Sequence, residues 1–143
     1  MSRGAEQNLW TQIREWAAGR PNLLVIKLHG SPLQRAGLPD LMVMGDGRVY
    51  FIELKAKGGE PTKLQKATFA QFTRLGHPVA LVDSLDGFAY LMQALKLADD
   101  ADTLKRARRF RDAIKSVPLD QRAARDLLMV RGMDGLRVDP GAP

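Results

Sequence analysis

Residues 37–55 read GLPDLMVMGDGRVYFIELK, and their alternation decides the fold. The spacing predicts a strand, a tight turn and a second strand. The first strand begins at Pro39-Asp40, the turn is Gly45-Asp46-Gly47, and the second strand runs from about Arg48 to Ala56. Asp-Gly between two β-rich runs is a strong hairpin signal. Side chains alternate along a strand, so Glu53 and Lys55 share one face while Ile52 and Leu54 share the other. The hairpin can return Asp40, at the far end of the partner strand, to the same neighbourhood. Two converging carboxylates make a hard-oxygen site suited to Mg²⁺ or Mn²⁺. A lysine beside them can position or deprotonate a water, or stabilise phosphoryl charge.

Outward from the hairpin, residues 5–18 read as an amphipathic helix with Leu9, Ile13, Trp16 and Ala17 on one face. Glu6 lies one turn before Leu9. Its spacing fits both an acidic residue favoured by the helix dipole and a group at the edge of the site. Residues 23–28 are read as a strand, and Lys27 and His29 share a face if it runs on regularly. The loop of residues 30–38 carries Gln34 and Arg35, either as ordinary exposed residues or as contacts to a substrate backbone.

After the hairpin, Lys57 to Pro61 is a turn without the spacing of a phosphate-cradling loop. A helix then runs from Thr62 to about Leu75, with Leu64, Ala67, Phe72 and Leu75 expected inside and Gly76 closing it. Thr62-x-x-Gln65 fits a capping box, and the Gln65 amide could instead reach the site. A strand at 78–82 and a helix at about 85–97, burying Phe88, Leu91, Met92 and Leu95, complete the core. The acidic run Asp99-Asp100-Ala101-Asp102 is read as its end. Two further helices are expected. The first has an apolar stripe of Leu104, Ala107, Phe110, Ile114 and Val117; the second spans about 121–131.

The chain has 143 residues and a net charge of +6, with no cysteine and two histidines. One domain with a real core is expected. Disulfides, thiolate zinc sites and cysteine nucleophiles are excluded. No apolar run reaches membrane-spanning length and the N-terminal residues do not resemble a signal peptide, so a cytoplasmic setting is expected. Residues 103–137 hold ten basic and four acidic side chains, and the rest is neutral. The whole excess therefore lies after the candidate site. Concentrated positive charge favours nucleic acid; a solvated helix face is the plainer reading.

The element order and these residues together resemble the VRR-NUC branch of the PD-(D/E)XK nucleases. The resemblance covers about residues 5–97. It is carried by Glu6, Gly37-Leu38-Pro39-Asp40, Glu53-Leu54-Lys55, Gly58-Gly59, Gln65 and Gly76. It implies an α/β fold, a restriction-endonuclease-like αβββαβ core with a mixed sheet flanked by helices. Residues 1–98 would form that core, 99–137 a basic helical extension and 138–143 a disordered tail.

The resemblance further implies that Asp40, Glu53 and the Leu54 backbone carbonyl bind Mg²⁺ or Mn²⁺. Lys55 would orient or activate water, Glu6 would assist the metal directly or through water, and Gln65 would hold Lys55, water or phosphate. Lys27, Gln34, Arg35, Lys57 and Lys63 around the site, with Arg106 and Arg109 beyond it, are the candidate DNA contacts. The expected reaction is hydrolysis of a DNA phosphodiester. Small stand-alone members resemble dimeric junction-resolving enzymes, so a homodimeric Holliday-junction resolvase of phage type, working in the host cytoplasm, is the specific expectation. A flap or duplex endonuclease or nickase, and a non-catalytic nucleic-acid-binding module, are the alternatives. A helical adaptor built on the C-terminal helices is a third.

Overall fold

The computed structural model of the protein describes residues 2–28, 36–56 and 59–116. The elements are α1 (Ser2–Ala18), β1 (Leu24–Lys27), β2 (Leu41–Gly45), β3 (Arg48–Leu54), α2 (Lys63–Arg74), β4 (Val79–Val82), α3 (Leu85–Ala94) and α4 (Ala101–Lys115). The expectations for His29, the loop through Gln34 and Arg35, Lys57-Gly58, Val117, the helix at 121–131 and the tail lie outside the described residues.

The hairpin forms as its turn residues dictate. Asp46 and Gly47 both have positive φ, 53° and 71°, between the paired residues Gly45 and Arg48. Two left-handed residues in a two-residue loop match the right-handed twist of the flanking strands. The resulting sheet has the order β1-β2-β3-β4, antiparallel through the first three strands and parallel between β3 and β4. The parallel pair requires a crossover, and α2 supplies it. The α/β class and the mixed sheet are as the sequence implies.

Alternation then sorts the two faces. Val43, Leu41, Ile52, Leu54, Ala80 and Val82 face one side and are buried against Leu9, Ile13 and Trp16 of α1 and Phe88, Leu91 and Met92 of α3. Trp16 meets Phe88 edge-on at 5.6 Å. The same cluster continues into α4 through Ala107, Phe110 and Ile114. The acidic run at 99–102 is thus a joint as well as a break. Asp100 caps α4, Arg20 donates to both of its carboxylate oxygens at 3.0 and 2.7 Å, and the Trp16 indole donates to Asp102 at 3.2 Å.

Two expected helix faces are corrected. On α2 the buried residue is Thr68, and Phe72 meets Phe51 edge-on at 5.0 Å. Leu64 and Leu75 are 54% and 78% exposed, and Ala67 is exposed too. Residues 65, 68 and 72 form the inward stripe, and at ~100° per residue the stripe through Leu64 and Leu75 is rotated away from the sheet. On α4, Thr103 rather than Leu104 completes the buried stripe. The buried Thr103 hydroxyl is satisfied there by donating to Asp100 at 2.7 Å.

Candidate active site

The ladder between β2 and β3 pairs Leu41 with Ile52. One step further along the same register sets Asp40 opposite Glu53. Directly opposed residues project to the same face, so two carboxylates meet there, a pairing that ordinarily destabilises a sheet. Backbone bonds fix the end of the ladder: the Leu28 N–H donates to the Asp40 carbonyl at 2.7 Å and the Lys55 N–H to the Val82 carbonyl at 3.0 Å.

The Asp40 side chain is held as well, because its Oδ2 accepts from the Leu54 N–H at 2.9 Å. N–H and C=O of one extended residue point to the same side, so the Leu54 carbonyl also opens toward Asp40. The approach of residues 37–40 depends on Gly37, whose φ is +83°. A Cβ there would lie 3.0 Å from Thr68 Oγ1 and 3.2 Å from the Leu64 carbonyl.

Glu53 is 2% exposed. Its Oε2 accepts from Gln65 Nε2 at 2.8 Å and pairs with Lys55 Nζ at 3.1 Å. Its Oε1 is buried without a hydrogen-bond partner. Burial pushes the carboxyl up to about 7, the nearby Asp40 charge adds to the rise, and Lys55 opposes it. Glu6 reaches the same field from the start of α1. Its carboxyl is also raised, chiefly by burial, with Lys55 lowering it and Asp40 raising it.

Gln65 serves both roles that its spacing left open. Its backbone N–H donates to Thr62 Oγ1 at 3.1 Å, and its side-chain oxygen accepts from the Thr62 N–H at 2.9 Å, completing the capping box. The same oxygen accepts from Lys55 Nζ at 3.3 Å while the amide nitrogen bridges to Glu53.

Glu6, Asp40, Glu53, Leu54, Lys55 and Gln65 are therefore brought together. Lys63 opens α2 beside them and is exposed. Lys27 lies across the sheet, 5.8 Å from the Trp10 ring centroid and 3.5 Å from the Gln7 amide oxygen. Arg106 and Arg109 are not brought to the carboxylates. Arg106 pairs with Asp86 and Asp102 at 3.2 and 3.0 Å, and Arg109 with Asp86 at 3.2 Å. Arg106 lines a separate groove of about 580 Å³ between α1, α3 and α4, together with Glu15, Trp16 and Asp86.

Sequence reading missed Thr62 and Leu54 as backbone donors to the site, because a main-chain N–H has no residue signature. It missed Asp86 as the internal partner of two arginines. An acidic residue in the first turn of α3 was the available signal.

The donor set suits a hard divalent cation. Among the described residues no group of three His, Cys, Asp or Glu side chains is gathered for a metal. Two carboxylates suffice for Mg²⁺, which keeps several waters and is commonly held by one or two. A buried carboxylate oxygen without a partner needs an explanation, and a cation shared with Asp40 provides one.

A stretch of 53 residues is 42% identical to "Putative nuclease p44" of Acyrthosiphon pisum secondary endosymbiont phage 1. It covers 36% of this chain and 57% of that protein, so the chain spans less than two thirds of the relative it matches. No family model and no solved structure matches the chain. None of the described helices is long and apolar enough to cross a membrane.

Proposed function

We propose that this chain is a metal-dependent endodeoxyribonuclease of the VRR-NUC kind, acting on branched DNA and specifically as a homodimeric Holliday-junction resolvase. One observation carries the reading: Glu53 Oε1 lies buried and unpartnered opposite Asp40, with Lys55 alongside. An opposed carboxylate pair with one member buried costs stability, and cation-assisted hydrolysis is the chemistry that uses it. The name of the phage relative supports nuclease activity and phage origin, which would place the enzyme in the host cytoplasm.

Asp40, Glu53 and the Leu54 carbonyl would hold Mg²⁺ or Mn²⁺. When bound, the ion lowers the pKa of its water and neutralises charge growing on the phosphate oxygens. Lys55, braced by Glu53 and Gln65, orients the attacking water. Gln65 keeps that ammonium beside the carboxylate, and Glu6 accepts hydrogen bonds from water at the edge of the site. Lys63 beside the site, and Lys27, Gln34, Arg35 and Lys57 around it, are the proposed contacts to the phosphate backbone. A two-fold dimer matches the two symmetric cuts that a four-way junction requires.

The test is cleavage of labelled four-way junction, flap and linear duplex in Mg²⁺ or Mn²⁺, with Glu53→Ala and Lys55→Ala as controls. Paired symmetric cuts in the junction, lost in both variants, are expected. Cuts confined to flap or duplex would keep the metal site and discard the resolvase. Tight binding without any cutting would favour a non-catalytic module.

A further inference from the structure

The Gln65 amide has three polar neighbours, and all of them agree on one orientation. The Thr62 N–H donates to Oε1 at 2.9 Å, Lys55 Nζ donates to the same oxygen at 3.3 Å, and Nε2 donates to Glu53 Oε2 at 2.8 Å. A peptide N–H and an ammonium only donate, and a carboxylate oxygen accepts. A flipped amide would therefore lose all three bonds.

Of the two donors to Oε1, Lys55 is the weaker anchor. Its bond is the longer one, and it sits on a flexible stem. The Thr62 N–H belongs to the backbone at the start of α2, where φ is −66° and ψ is 166°. The Thr62 hydroxyl acts elsewhere, accepting from the Gln65 backbone N–H and capping the helix.

We infer that Thr62 is a positioning residue of the candidate site: its backbone N–H, and not its hydroxyl, orients Gln65 so that one amide braces both Lys55 and Glu53. The consequence for metal binding and cleavage rests on the proposed function; the orientation itself does not. The N-terminus of α2 thereby gives the site its geometry through a bond usually credited to helix stability alone.

Four replacements separate the two groups. Thr62→Ser keeps both and Thr62→Ala keeps only the N–H. Thr62→Pro removes both, at a φ that suits the pyrrolidine ring. The α-hydroxy acid analogue of threonine, placed at 62, removes the N–H alone. Hydrogen exchange of the Gln65 side-chain NH₂, followed by NMR without metal, reads the orientation directly. Mn²⁺ titration reads its consequence.

Thr62→Ala is expected to melt earlier, yet to match Thr62→Ser in both readouts. The ester and Thr62→Pro are expected to speed Gln65 exchange and weaken Mn²⁺ binding by about fivefold, the worth of one hydrogen bond. An ester variant with wild-type exchange would overturn the inference, as would a Thr62→Ala variant that loses protection as fully as the ester. If Thr62→Pro does not fold, the ester decides. If the wild-type protein neither binds Mn²⁺ nor cleaves DNA, the proposed function fails while the exchange measurement still judges Thr62.

Discussion

Asp40 accepts a hydrogen bond from the backbone N–H of Leu54 at 2.9 Å, so the residue between Glu53 and Lys55 holds the carboxylate that faces Glu53. Asp40→Asn keeps an oxygen for that bond and removes the charge. Because the Asp40 charge helps to raise Glu53, the Glu53 carboxyl should titrate lower in the variant, as NMR titration would show. DNA cleavage should fall by about 100-fold or more, since charge near the reacting phosphate is a large catalytic contribution. The melting temperature at pH 8 should rise as the like-charge pair is relieved. An unchanged Glu53 titration would refute the coupling.

Glu53 also makes stability depend on pH. Its carboxyl is raised from 4.5 to about 7, so the folded state binds the proton more tightly than the unfolded state. Its contribution is fully present below the unfolded value and is lost as pH rises through the folded one. Each unit of separation corresponds to about 1.4 kcal/mol. Urea unfolding should therefore show stability falling between about pH 4.5 and 7 from this group, and Glu53→Gln should flatten that slope. A divalent cation selects the ionised carboxylate, so Mn²⁺ should raise the melting temperature more at pH 8 than at pH 5.5.

Gly37→Ala tests the approach of residues 37–40 to α2. The variant combines φ of +83° with contacts of 3.0 and 3.2 Å to Thr68 and Leu64. A cost of roughly 1–3 kcal/mol is expected, by analogy with other strained backbone positions. Asp40 lies three residues on, so Mn²⁺ affinity should fall together with stability. Equilibrium unfolding and calorimetric titration would measure the two effects.

Arg20→Ala tests the joint between α1 and α4. Arg20 stacks on Trp16 at 3.6 Å from the ring centroid and donates to both carboxylate oxygens of Asp100. Those bonds hold the Asp100 carboxyl below its ordinary value, Arg20 being the leading cause. The stability they supply is present above the unfolded value of 3.8 and is lost as pH falls below it. Hydrogen exchange along residues 101–115 should quicken in the variant, most of all at neutral pH, while Mn²⁺ affinity stays unchanged. Wild-type protection of α4 in Arg20→Ala would remove the joint from the account.

The hairpin was legible because Asp46-Gly47 permits few turns and Ile52 and Leu54 alternate with Glu53 and Lys55. The face of α2 was not legible. Leu64 and Leu75 offered a more apolar stripe than the one used, and the choice went to Gln65, whose amide caps the helix and binds Glu53 together. The pairing of the α4 charges was not legible either. Composition counts Arg106 and Arg109 as cations but cannot show that both pair with Asp86. Glu6 was ambiguous from spacing alone, since its nearness to Lys55 and Asp40 comes from how α1 crosses the sheet.

The two arms of the hairpin are of equal length, five residues from Leu41 to Gly45 and five from Arg48 to Ile52. That equality imposes a parity rule on change. An insertion in one arm alone would move Asp40 out of opposition to Glu53. One residue added to each arm would keep them opposed but carry both to the other side of the sheet, into the apolar layer against α1 and α3. Only matched changes in twos return the pair to the side where Gln65 waits. Loop grafting at Asp46-Gly47 should therefore be tolerated when it preserves that count and the new turn accepts the left-handed backbone found at both positions.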